Sequence, residues 1–101
     1  MEKLRLGRTG LMVTRTAFGV LPIQRVQMDE AIRILRKAYD YGINFFDTAN
    51  SYTDSEEKIG NAFAGGRRQN IIIATKSGAK DKQTAAKHIE LSLRRLQTDY
   101  I

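Results

Sequence analysis

The chain opens with two short runs of alternating apolar and polar residues, Lys3–Leu6 and Leu11–Val13. Gly7-Arg8-Thr9-Gly10 lies between them, and glycines bracketing so short a link predict a β-hairpin over residues 3–13. Thr16-Ala17-Phe18-Gly19 is strand-like and ends at glycine, and a loop follows through Pro22. From Asp29-Glu30 the pattern changes. Ala31, Ile34, Leu35 and Ala38 recur at helical spacing, with acids in the first turn and Gly42 past the end. Asn44-Phe45-Phe46-Asp47, extended by Ile43, is too short for a helix and reads as a buried strand. Asp54-Ser55-Glu56-Glu57 has the spacing of a capping box, with Asp54 as cap and Glu57 reaching back. Ile59, Ala62 and Phe63 then give an apolar stripe that Gly65-Gly66 stops. Ile71–Thr75 is a nearly continuous β-branched run, as in strands covered on both faces of a parallel sheet. A third helix starts at Asp81 or Thr84 and ends at Leu96, with Ala85, Ile89, Leu93 and Leu96 on one side. Tyr100-Ile101 reads as the opening of another strand.

Strands alternating with helices through short loops predict an α/β fold with a parallel sheet and about three βα units behind the hairpin. No linker, repeat or low-complexity tract divides residues 1–101. The chain is 42% hydrophobic, which argues against disorder. No apolar run has the length of a membrane span, and the N-terminus lacks the core of a signal peptide. With no cysteine, thiolate metal sites and disulfides are excluded from these residues.

Lys and Arg outnumber Asp and Glu by 17 to 11. A basic balance raises the question of a polyanionic partner. Arg33, Arg36 and Lys37 lie beside Asp29, Glu30 and Asp40, however, and Arg94-Arg95 follow Glu90. Arg67-Arg68 and the Lys80/Lys82 pair are locally basic but have no aromatic residues interleaved for base stacking. The distribution therefore predicts solvated helix faces, with no nucleic-acid partner.

Parallel α/β folds bind ligands at the carboxyl ends of their strands. The first strand of the parallel sheet ends at Gly19-Val20, the second at Asp47 with Tyr52 in its loop, and the third at Lys76. An acid, a phenol and an amine thus converge on one rim. Taken singly, each has an ordinary explanation: a loop-capping carboxylate, a packed aromatic, a solvated lysine. Their joint placement points further, because fold stability does not require a lysine after an aliphatic strand. A tyrosine hydroxyl ordinarily titrates near ~10. A neighbouring ammonium favours the phenolate, and a carboxylate keeps that ammonium charged and in place. Such a trio suits general-acid catalysis of carbonyl reduction.

The segments Leu6–Leu11, Gly42–Ala49, Tyr52, Ser55-Glu56-Glu57, Ile73–Lys76 and Ser92–Ile101 together resemble the aldo-keto reductase family over essentially the whole chain. The resemblance implies the N-terminal part of a (β/α)8 TIM barrel, whose base the hairpin plugs. Its activity would be NAD(P)H-dependent reduction of aldehydes and ketones. Tyr52 would be the proton donor, Lys76 would make it more acidic, and Asp47 would pair with Lys76. Gly19 and Val20, with Asp47, fall where the family brings its cofactor close, NADPH first and NADH second. Thr53 stands where many relatives have glycine.

The family's fourth catalytic residue is a histidine at the end of the fourth barrel strand. His88, the one histidine here, does not match it and reads as a surface or half-buried helix residue with no ligand role. The chain is accordingly expected to be a truncated portion of a barrel, which typically needs ~250 residues. It is expected to be inactive alone and to self-associate through an uncovered sheet face near Phe45, Ile71 and Ile73. A non-catalytic regulatory or binding module on the same scaffold is the alternative. Some bacterial relatives carry a ferredoxin-like tail, which these residues could not furnish. The expected partner is a small carbonyl compound, with no membrane, in the cytoplasm.

Overall fold

Two sheets share the chain. The computed structural model describes residues 1–101. β1 (Lys3–Arg5) and β2 (Met12–Thr14) pair antiparallel, Lys3 opposite Thr14 and Arg5 opposite Met12, which is the predicted hairpin. Behind it β3 (Phe18–Gly19), β4 (Phe45–Asp47) and β5 (Ile72–Ala74) form a parallel sheet in the order β3-β4-β5. α1 (Met28–Asp40) joins β3 to β4, α2 (Ser55–Ala62) joins β4 to β5, and α3 (Lys82–Leu96) follows β5. A 3-10 turn over Leu21–Arg25 carries Pro22, and another spans Arg68–Asn70. The sheet is not closed into a barrel: β3 and β5 remain its edges. No helix is long and apolar enough to cross a membrane.

The period-2 alternation of strands divides the sheet into two faces. Phe18, Phe46 and Ile73 are register partners on the helix side, as are Phe45 with Ile72, and Gly19, Asp47 and Ala74, on the other. Phe46, Ile71 and Ile73 are buried in a core with Leu35, Ile59, Phe63 and Leu96. The Phe46 and Phe63 ring centres stand 4.8 Å apart. On the opposite face Phe45, Ile72 and Ala74 are only half-buried. This corrects the expectation for Ile71 and Ile73, which the helices cover, while Phe45 does lie on the open side.

Helix packing explains several sequence features. Gly60, in α2, lies so close to α3 that a Cβ there would collide with the Arg95 carbonyl oxygen and press on Leu96. The hairpin docks through Asn44 at the amino end of β4. Asn44 Oδ1 accepts from the Thr14 amide at 2.7 Å, its amide donates to Thr14 Oγ1, and its Nδ2 donates to the Met12 carbonyl.

Three local expectations are corrected. The capping box does not form: Asp54 makes no side-chain cap bond and pairs instead with Lys58 at 2.8 Å, while Glu57 is exposed beside Arg95. Lys58 is fully buried and donates to the Ile23 and Gln24 carbonyls, so tertiary acceptors capture the group that the local motif would have left alone. Ile89 is exposed, because the buried side of α3 is centred on Ser92 and Leu96, while Ala85 and Leu93 of the predicted stripe are half-buried. Tyr100-Ile101 forms no strand. The Arg68 guanidinium lies 3.8 Å from the Tyr100 ring centre and donates to the Tyr100 carbonyl, Thr98 Oγ1 and the Ile71 carbonyl. Arg68, singled out as basic, is thus a structural clamp.

Candidate active site

Asp47 ends β4, and Lys76 lies two residues beyond the end of β5, on the same open face. Parallel pairing of Asp47 with Ala74 brings the two side chains together. Lys76 Nζ lies 3.0 Å from Asp47 Oδ2 and donates to the Thr48 carbonyl at 2.6 Å. The same nitrogen sits 5.1 Å from the centre of the Tyr52 ring, within cation–π range. Asp47, Tyr52 and Lys76 therefore meet at one rim, as the strand-end argument required.

The trio is half open to solvent: the Lys76 and Asp47 side chains retain 50% and 49% exposure. Burial pulls the Lys76 ammonium downward. The hydrogen bond and charge of Asp47, with a smaller contribution from Tyr52, outweigh that and hold it above the usual lysine range. The ammonium is thus held charged beside the phenol.

Gly19 is the register partner of Asp47 on the open face, and a Cβ built on it would meet no atom within 4 Å. Backbone there is accessible to a ligand approaching Asp47 and Lys76, which fits a flat cofactor ring. Val20 is placed differently. Its side chain is fully buried in the core and its amide donates to the Asp47 carbonyl at 2.9 Å, so its backbone alone could face a ligand. A cleft of about 260 Å³ lined by Ala49, Ser51, Tyr52, Lys76, Ser77 and Gly78 adjoins the trio. A larger cavity of about 700 Å³ lies at the amino ends of the strands, against Met12, Asn44 and Ile72. It is remote from the converging acid, phenol and amine, so chemistry and not size identifies the site.

Sequence reasoning missed the supporting groups. Asn50 donates from its amide to the Lys76 carbonyl at 2.9 Å and ties the tyrosine loop to that of the lysine. Glu56, fully buried on α2, accepts from Thr75 Oγ1 at 2.8 Å and from Arg95 Nη1 at 3.2 Å. Arg95 also donates to the Asn50 carbonyl. The helical spacing of His88, Ser92 and Arg95 was the available signal. His88 is half-buried, with Nδ1 2.6 Å from Ser77 Oγ.

A sequence model of the Aldo/keto reductase family matches residues 10–101. The chain belongs to that family. It is 41% identical to the uncharacterized oxidoreductase YrpG of Bacillus subtilis, over all of this chain and 38% of that protein. It is 39% identical to a probable voltage-gated potassium channel subunit beta of Arabidopsis thaliana, over all of this chain and 35% of that one. An aldo-keto reductase from Klebsiella pneumoniae, solved in complex with NADPH, superposes with a TM-score of 0.81 at 31% identity, covering 91% of this chain and 34% of its own. The chain thus spans little more than a third of the length of these relatives.

Proposed function

We propose that these residues form the first part of a (β/α)8 barrel and the proton-donating side of an NAD(P)H-dependent reductase of aldehydes and ketones. The observation that carries this is the Lys76 ammonium, held charged by Asp47 and directed at Tyr52. Tyr52 donates its hydroxyl proton to the carbonyl oxygen as negative charge develops there. Lys76 stabilises the phenolate left behind, and Asp47 fixes Lys76. A bound nicotinamide cofactor would supply the hydride, with Gly19 and Asp47 on the face it approaches and Val20 contributing through its backbone. NADPH is the first choice, since a relative was solved with it. NADH fits the same residues, none of which reads a 2′-phosphate. The substrate is a small carbonyl compound, met in the cytoplasm.

The experiment is NADPH binding and turnover. NADPH emission, excited through the nicotinamide, can be followed directly. Saturable emission enhancement with aldehyde-dependent loss of NADPH absorbance, in protein containing these residues, supports the reading. No saturable binding contradicts it. The similarity to a channel subunit favours a second reading, a binding module that keeps the cofactor site. Cofactor binding without turnover of any aldehyde or ketone would support that one.

A further inference from the structure

Helix α3 turns a polar stripe toward the two loops that carry the trio. His88, Ser92 and Arg95 are four and three residues apart and share one face. Asn50, between Asp47 and Tyr52, is held from this stripe. Its Nδ2 donates to Ser92 Oγ at 3.1 Å and to the His88 carbonyl at 3.3 Å, and its carbonyl accepts from Arg95 at 3.0 Å. The lysine loop has a thinner attachment. Residues 77–80 are joined to another element by one side-chain hydrogen bond, between Ser77 Oγ and His88 Nδ1.

Ser77 Oγ also holds its own loop. The Ala79 amide donates to Ser77 Oγ at 3.0 Å, so one hydroxyl engages both its own loop and the His88 ring. Of the charged groups around it, Asp81 at the α3 N-cap is near enough to interact with a charge on His88.

We propose that His88 is a positioning residue: through the hydrogen bond between its Nδ1 and Ser77 Oγ it pins the loop after β5 and so sets the Lys76 ammonium against Asp47 and Tyr52. This rests on the catalytic reading above. Ser77 follows Lys76 directly, and the Lys76 carbonyl is already tied to Asn50, so releasing Ser77 frees the lysine on its C-terminal side. A small displacement of a reacting group costs rate steeply.

Two measurements on protein containing these residues test it. With a generic aldehyde, His88→Ala should lower kcat about tenfold while KM and the NADPH Kd hold. His88→Asn, whose amide places a polar atom near the Nδ1 position, should restore it to within about threefold. Separately, an NMR titration of the Lys76 side chain without cofactor, assigned by loss of the signal in Lys76→Arg, should move toward an ordinary lysine in His88→Ala. An unmoved Lys76 titration overturns the assignment whatever the turnover, and so does an unchanged kcat in an active enzyme. Absence of turnover by wild-type protein that carries these residues within a complete barrel sinks the catalytic reading instead, and the titration still decides the role of His88.

Discussion

Lys76 and Asp47 meet across two adjacent parallel strands, 3.0 Å from ammonium to carboxylate, although 29 residues separate them. The register that opposes Asp47 to Ala74 makes the contact, and the open side of the sheet leaves it half-exposed. This pair decides how the rim behaves with pH.

Asp47→Asn should bring Lys76 down from its raised position. A lysine raised on folding contributes stability below its unfolded value near ~10.4, and that contribution disappears as pH rises through the higher folded value. The advantage of wild type over Asp47→Asn in urea unfolding should therefore be present at pH 8 and shrink above the lysine range. It should be small, because an exposed pair is screened by water. An advantage that grows with pH in that range contradicts the pairing.

Thr53 follows the proposed proton donor with φ +43°, a left-handed conformation that costs a β-branched residue roughly 1–2 kcal/mol. Its hydroxyl donates to Gln24 Oε1 at 3.1 Å, a partner glycine would lose. Thr53→Gly relieves the strain against a glycine entropy cost of about 0.5–1 kcal/mol, for a net gain of up to about 1 kcal/mol. Thr53→Ala loses the hydrogen bond and keeps the strain. Thermal unfolding should rank Thr53→Gly above Thr53→Ala, since both lose the hydroxyl and only glycine relieves the backbone, and the reverse order would show that the left-handed conformation at residue 53 stores no such strain.

Gly60→Ala should destabilise by at least about 2 kcal/mol, because the new methyl group meets backbone of α3 rather than a side chain that can rotate away. In an exposed helix interior the same change would stabilise by about 1 kcal/mol. Urea unfolding distinguishes the two signs, and a variant as stable as wild type would mean that α2 and α3 pack less closely.

Much of this was legible in the chain because it is local. The hairpin follows from its two glycines, and the strand ends that gather Asp47, Tyr52 and Lys76 follow from βα alternation. What stayed hidden depends on contacts between distant segments. Glu56 and Lys58 sit in a charged stretch that reads as helix surface, yet both are buried with partners from the residue after β5, from α3 and from the turn after β3. Asp54 resembles a cap in sequence and is drawn to Lys58, whose hydrogen bond holds its carboxyl below the usual range. Asp81 does act as a cap, because its carboxylate meets only the Thr84 amide and hydroxyl of its own helix. Ile89 misled because periodicity marks an apolar stripe without saying whether anything covers it.

Tyr52→Phe tests the central claim most directly, since it removes the hydroxyl and keeps the ring beneath Lys76. General-acid assistance contributes about 10²–10⁴-fold. Carbonyl reduction by protein containing these residues should fall by at least about 100-fold, with NADPH affinity held within about twofold. Turnover that survives the substitution would contradict Tyr52 as the proton donor and leave the rim of Asp47 and Lys76 without its proposed chemistry.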